Sequence, residues 1–148
     1  MELPPPLPAA IIPDANVIIS ALIRGRARLI FETSLNLRCL SPITVAEEVA
    51  EHLPRVAAKA KINMELALRA LGAIPVEWQS PAIYEPFREA ALARIASRDP
   101  EDWPVVALAL ATDLPIWSQD KDFEIIGLPV YTTGRLLDIL RDEERSSK

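Results

Sequence analysis

The chain is poor in the residue types on which several classes of protein depend. Its 148 residues include a single cysteine, Cys39, so an internal disulfide is impossible. They also include a single histidine, His52, which is too few for a histidine-based zinc site. A Ser-His-Asp triad would have to rely on that same residue. Cys39 lies in an apolar stretch, where we expect a buried free thiol, and a reducing, cytoplasmic setting fits this cysteine usage.

Long apolar runs are also lacking, and the opening residues do not predict a secretory leader. No apolar stretch reaches the roughly 20 residues that a membrane-spanning helix needs. The opening residues, MELPPPLPAAII, have neither the positive charges nor the uninterrupted apolar segment of a signal sequence. The sequence therefore predicts a soluble, cytoplasmic protein with no membrane partner.

Basic residues are outnumbered by acidic ones. The chain has 16 Lys and Arg against 21 Asp and Glu, a formal net charge of -5. This balance weighs against a broad electrostatic grip on nucleic acid, which usually needs a basic surface. A carboxylate-lined metal site would itself add negative charge, however, and its bound cations would attract a phosphate. One basic cluster, Arg24, Arg26 and Arg28, could contact RNA phosphates or simply be solvated.

Strand-like and helix-like apolar segments alternate along the chain. Such alternation implies crossover connections and a mostly parallel sheet that is covered on both faces. We therefore predict an α/β fold with three α/β/α layers around a central, mostly parallel five-stranded sheet. The predicted strands are 9–12, 37–40, 74–78, 115–118 and 129–131. The predicted helices are 15–23, 27–35, one capped by Ser41 and ended or kinked by Pro54, 59–71, 83–96, 101–112 and 134–141.

The length and composition fit one compact domain. Half of the residues are hydrophobic and a quarter are charged, which is ordinary for a globular protein. The predicted domain covers residues 9–142. It is preceded by an extended proline-rich arm at 1–8 and followed by a charged tail at 143–148.

Four separated acidic residues stand beside the apolar runs of this predicted fold. Asp14 and Asp120 directly follow predicted strands, whereas Glu47 and Asp102 lie near the starts of helices. Ligands of an open parallel sheet bind outside the carboxyl ends of its strands, so we expect these side chains at one edge. Asp99 is the better candidate for capping the helix that follows it, which leaves Asp102 for the site.

Each acid also has a simpler structural explanation. Asp14 could cap the helix that follows it, and Glu47 could complete a capping box with Thr44. Asp120 and Asp122 could stabilise a turn. From the spacing alone, a metal site and a set of independent caps both stay open.

The ordered motifs that carry these acids resemble those of the PIN-domain family, which includes the VapC-type toxin ribonucleases. The segments are IIPDANVIISAL, ITVAE, DWPVVALALA and WSQDKDF. They span nearly the whole chain, in the family's order and with compatible spacings. The resemblance makes the four family acids Asp14, Glu47, Asp102 and Asp120.

The resemblance extends to neighbouring residues and has departures. Asp122 matches an accessory acid, and Asn16 matches a polar residue that would orient the first carboxylate. Glu48 replaces Glu47 as the second acid if the helix register is shifted by one. Pro13 stands where an apolar strand residue is usual, and Ser118 stands where a threonine is common.

The resemblance implies a metal-dependent endoribonuclease that hydrolyses phosphodiester bonds in single-stranded RNA. Carboxylates suit Mg²⁺ or Mn²⁺, which prefer oxygen ligands. The implied metal ligands are Asp14, Asp102, Asp120 and Asp122, and Glu47 would bind metal or orient the attacking water. A toxin of this type would form a homodimer and would be bound by an antitoxin protein. The alternative is a non-catalytic PIN-like module that binds RNA or protein, which the low basic content favours.

Overall fold

The computed structural model describes residues 7–33 and 36–146. Residues 1–6 of the predicted arm and residues 147–148 of the predicted tail lie outside the described residues. Within the described part, Leu7 packs against the apolar core, and its backbone N–H lies 3.4 Å from Oε1 of Glu143. The end of the arm is therefore in contact with the last helix.

Five parallel strands form the centre of the molecule. They are β1 (Ala10–Pro13), β2 (Arg38–Pro42), β3 (Val76–Gln79), β4 (Ile116–Trp117) and β5 (Val130–Tyr131). Their order in the sheet is β3-β2-β1-β4-β5, and every neighbouring pair is parallel. The first strand is thus the central one, with its carboxyl end at the middle of one sheet edge.

Helices connect the strands and cover the sheet. They are α1 (Ala15–Leu22), α2 (Ala27–Thr33), α3 (Ile43–Ala60), α4 (Met64–Ala73), α5 (Pro81–Tyr84), α6 (Arg88–Ile95), α7 (Trp103–Thr112), α8 (Asp122–Ile125) and α9 (Thr133–Ser146). Short 3₁₀ turns occupy Glu85–Phe87 and Pro100–Asp102.

Two apolar clusters make up the core. Ile11 and Ile12 are neighbours in β1, and both are fully buried. Because successive strand residues point to opposite faces, Ile12 packs into one cluster and Ile11 into the other. The three-layer α/β/α prediction is confirmed.

Two predicted boundaries are wrong for physical reasons, and one of the two alternatives for Pro54 is excluded. Strand β2 continues through Ser41 and Pro42, so Ser41 is a strand residue and not a helix cap. Pro54 does not end α3, because the buried residues on either side of it keep the helix packed on the core. Helix α9 runs on to Ser146, past the predicted end at residue 141, since its acidic and basic residues tolerate helix well.

Candidate active site

Asp14 lies at the carboxyl end of the central strand and is buried. Its Oδ1 accepts a hydrogen bond from the backbone N–H of Val17 at 2.9 Å, which caps α1. Its other oxygen, Oδ2, accepts a short hydrogen bond from the hydroxyl of Ser118. Burial is the main reason that the pKa of Asp14 is raised, and the nearby charge of Asp120 raises it further. The capping role and a role in the site therefore coexist in one carboxylate.

The loop after β4 is folded onto Asp14 by a series of hydrogen bonds. The backbone N–H of Asp120 donates to the Oγ of Ser118 at 2.9 Å. The backbone N–H of Asp122 donates to Oδ1 of Asp120, also at 2.9 Å. Asp120 thus stabilises a turn, as the simpler explanation expected, and that turn also holds its carboxylate near Asp14.

Asp102 closes the 3₁₀ turn that precedes α7. It is Asp99 that caps this turn, through a 3.2 Å hydrogen bond from the backbone N–H of Glu101, while the carboxylate of Asp102 makes no capping bond. The pKa of Asp102 is raised to about 7, mainly by burial. The negative charges of Asp99, Asp14, Glu48 and Asp120 contribute the rest of this rise.

The two adjacent glutamates of α3 lie on different faces of the helix. The buried stripe of α3 includes Val45, Val49 and Leu53. Successive residues of a helix are rotated by about 100°, so Glu47 and Glu48 cannot present their carboxylates to the same surroundings. The N-cap of α3 is Pro42 and makes no side-chain cap, so Glu47 is not part of a capping box. Both glutamates are exposed residues of this helix, so the direction of each side chain, and not its exposure, distinguishes them.

Glu48 lies within electrostatic range of the other acids. Burial is the main cause of its raised pKa, and the charge of His52 opposes that rise. The charges that add to the rise are those of Asp14, Glu101 and Asp99. The structure therefore brings the second glutamate of the pair, and not the first, into the acidic cluster.

A groove of about 380 Å³ runs between α3 and the start of α7, beside these acids. Its polar lining consists of Thr44, Glu48, Glu51, His52, Glu101 and Asp102. The hydroxyl of Thr44 is buried and has no hydrogen-bond partner among the residues that the structure describes. Two acids of the candidate site, Glu48 and Asp102, therefore line this groove together with Glu51 and Glu101.

Two further predicted residues have different surroundings from the four acids. The carboxylate of Asp122 lies 3.5 Å from Nη1 of Arg98, so it is engaged in an ion pair. Asn16 acts on Asp14 through its backbone N–H, which lowers the pKa of that carboxyl, while the residue itself is exposed.

The donor set suits a hard divalent cation. Within residues 7–33 and 36–146, no three Asp, Glu, His or Cys side chains already stand in a metal-binding arrangement. The chemistry of the site nevertheless fits Mg²⁺ or Mn²⁺, because its donors are carboxylate oxygens and these ions keep several water ligands. Burial and neighbouring negative charges raise the pKa values of Asp14 and Asp102. A divalent cation bound here would stabilise the ionised forms of both side chains.

Comparison with known protein families settles the membership of this chain. The sequence matches the family model of the PIN domain over residues 12–141. The chain belongs to the PIN-domain family. PIN domains are in general nucleases, and PIN-domain nucleases typically use divalent metal ions. None of the curated proteins matches this PIN domain. Across its described residues, no helix is long and apolar enough to cross a membrane.

Sequence reasoning named Glu48 only as the replacement for Glu47, and it did not name Arg98. Glu48 could have been preferred over Glu47 from the stripe Val45, Val49 and Leu53, because Glu48 adjoins that stripe. Nothing in the sequence indicated a role for Arg98 except its position just before Asp99.

Proposed function

We propose that this PIN domain is an endoribonuclease that hydrolyses phosphodiester bonds in single-stranded RNA with Mg²⁺ or Mn²⁺. One observation carries the proposal beyond the family match. Asp14, Glu48 and Asp120 come from separate parts of the chain, and the charges of all three raise the pKa of Asp102.

The roles follow from the surroundings of each side chain. Asp14, Asp102 and Asp120 would hold the metal, and Ser118 keeps Asp14 oriented through its hydroxyl. Glu48 takes the role that the motif resemblance gave to Glu47, binding metal or orienting the attacking water. Asp122 supports the site from outside, because its backbone N–H donates to Asp120. When bound, divalent ions supply the charge that makes water a better nucleophile and stabilises the leaving oxygen.

Cleavage of a labelled single-stranded RNA by metal-free protein tests the proposal. We expect cleavage after addition of Mg²⁺ or Mn²⁺ and none in EDTA. The matched control is Asp14→Asn, whose amide oxygen can still accept the Val17 N–H and cap α1. This variant should fold normally and lose at least about a hundredfold in rate, since metal-ion stabilisation is worth several kcal/mol.

The competing function is a PIN-like module that binds RNA or protein without cutting. The acidic balance of the chain favours it, with 21 acidic against 16 basic residues. A wild-type protein that binds RNA but cleaves none in either metal would establish this alternative. Equal cleavage by wild type and Asp14→Asn would show that a different site, or a contaminant, is responsible.

The finer assignment is a VapC-type toxin that forms a homodimer and binds a small antitoxin protein. The order of the four motifs supports this part of the proposal. Expression in a bacterial host should then arrest growth, and the Asp14→Asn variant should not. Normal growth with a protein that is an active ribonuclease in vitro would contradict the toxin assignment alone.

A further inference from the structure

Arg98 stands at the end of a series of polar contacts that begins at Asp14. The Ser118 hydroxyl donates to Asp14, and the Asp120 N–H donates to Ser118. The Asp122 N–H then donates to Asp120, and Nη1 of Arg98 lies 3.5 Å from Oδ1 of Asp122. The guanidinium of Arg98 is therefore linked to the carboxylate site through Asp122.

The backbone places Arg98 between the two segments that supply site acids. Its N–H donates to the carbonyl of Ile95 at 2.9 Å, which fixes the turn after α6. The next residue is Asp99, which caps the 3₁₀ turn ending at Asp102. Arg98 thus belongs to the segment of Asp102 by sequence and contacts the segment of Asp120 through Asp122.

The surroundings of the site are strongly acidic, and an RNA strand must approach through them. A polyanion would be repelled before any metal could draw it in. A guanidinium has five N–H donors and matches the oxygens of a phosphate in a bidentate manner. Only one of these donors of Arg98 faces Asp122 within hydrogen-bond range, and 41% of the side chain is exposed.

Other cations near the site are less suited to this task. Arg88 lies over the ring of Trp103, 4.9 Å from its centroid, and pairs with Glu85 at 3.3 Å. Lys121 is exposed and makes no ion pair with any residue in the described part of the chain. Arg98 is both held in place and partly free, so less side-chain entropy is lost when it binds a ligand.

We propose that Arg98 binds a phosphate of the RNA strand beside the scissile bond. This inference rests on the proposed ribonuclease function. The guanidinium exchanges part of its interaction with Asp122 for the phosphate oxygens, and it offsets the repulsion between the strand and the carboxylates. Arg98 is thus a substrate-binding residue, not a metal ligand.

The test is the salt dependence of kcat/KM for a short single-stranded RNA. Each phosphate contact contributes about 0.7 to the slope of log affinity against log salt for a single strand. We expect Arg98→Ala to raise KM more than it lowers kcat and to reduce the slope by about that amount. Arg98→Lys keeps the charge and should keep most of the slope. The matched control is Arg69→Ala, which removes an exposed arginine paired at 3.2 Å with Glu65 in α4.

A second variant separates phosphate binding from a purely structural ion pair. Asp122→Asn weakens the pair but keeps Arg98, so its salt slope should equal that of wild type, whatever happens to kcat. If Asp122→Asn reproduces the loss seen in Arg98→Ala, the pair only positions the two segments and the inference is wrong.

The remaining outcomes are equally decisive. An unchanged slope in Arg98→Ala, with active wild type, refutes the Arg98 role and leaves the ribonuclease function standing. A wild type that cleaves no RNA refutes the proposed function, and the Arg98 inference falls with it. Binding of the same RNA to Asp14→Asn in Mg²⁺ repeats the slope comparison without cleavage, and the slope should again be lower when Arg98→Ala is added.

Discussion

The two halves of the carboxylate site are built differently. On the side of β1 and β4, hydrogen bonds join Asp14, Ser118 and Asp120 directly. On the side of α3 and α7, the carboxylates of Glu48 and Asp102 receive no hydrogen bond from the described residues. One half is therefore fixed before any ion arrives, whereas the other is positioned by its helices alone.

The difference has an electrostatic consequence. Hydrogen bonds from Ser118 and Val17 partly offset the effect of burial on the pKa of Asp14. Asp102 has no such compensation, and its pKa rises to about 7 through burial and neighbouring negative charges. The half without hydrogen bonds should respond most to metal, and this expectation can be tested residue by residue.

The largest effect should come from Asp102→Asn. With Mg²⁺, we expect at least about a hundredfold loss of kcat, because the proposed function makes Asp102 a ligand of the metal. Without metal, the same change should raise Tm, since it removes a half-buried negative charge that is repelled by its neighbours. RNA cleavage and thermal unfolding in EDTA measure the two effects. A lower Tm of Asp102→Asn in EDTA would contradict this expectation, because it would mean that the Asp102 carboxylate stabilises the metal-free fold.

The next effect compares the two adjacent glutamates of α3. Glu48→Gln should lower kcat by roughly 10- to 100-fold, the range found when groups around a bound metal are altered. Glu47→Gln, one residue away on a different face of the helix, should leave kcat within about twofold of wild type, because the charge of Glu47 does not act on Asp14 or Asp102. If Glu47→Gln lowers kcat and Glu48→Gln does not, then Glu47 is the second acid, as the motif resemblance implies.

A smaller effect is expected from Ser118→Ala in the hydrogen-bonded half. The change removes the donor to Asp14 and the acceptor for the Asp120 N–H. Metal affinity, measured by calorimetry with Mn²⁺, should fall by about tenfold, as for other groups that orient ligands. Ser118→Thr restores the hydroxyl and should recover most of the affinity. Full affinity in the alanine variant would mean that this half needs no hydrogen bond to keep its geometry.

The smallest effect is the pH dependence of stability without metal. The pKa of Asp102 is about 7 in the folded protein, above the ordinary 3.8 of an aspartate, so folding takes up protons between these values. Its contribution to stability is fully present below about pH 3.8 and is lost as the pH rises through about 7. The drop in Tm between pH 5 and pH 8 in EDTA should therefore be smaller in Asp102→Asn than in wild type. Equal drops in the two proteins would contradict the assignment.

The fold was largely predictable, because the spacing of apolar residues distinguishes helices from strands in this sequence. All five strands were anticipated, and the parallel sheet follows from their alternation with helices. The boundaries were less predictable where packing overrides local preference. Pro54 lies inside α3 because Leu53 and Ala57 are buried on the same helix, and no local rule contains that information.

The site was predictable where a carboxylate directly follows a strand. Asp14 follows β1 and Asp120 follows β4, and the end of a strand fixes the edge of the sheet at which the next residues lie. Glu47 was chosen by its match to the family motif, whereas it is Glu48 whose charge acts on Asp102. A helix turns by about 100° for each residue, so neighbouring residues face different surroundings. The contact of Arg98 with Asp122 joins segments that are distant in sequence, and only the folded chain reveals it.

The hydrogen bond between Ser118 and Asp14 joins positions that are roughly 100 residues apart in the chain. A cation shared by Asp14 and Asp120 would close the same loop, so it would act as a reversible crosslink between the first and fourth strands. Closing a long loop in the folded state alone favours that state, because the unfolded chain cannot hold both carboxylates on one ion without losing entropy. The ion that serves chemistry would thus also lock the central strands of the sheet together.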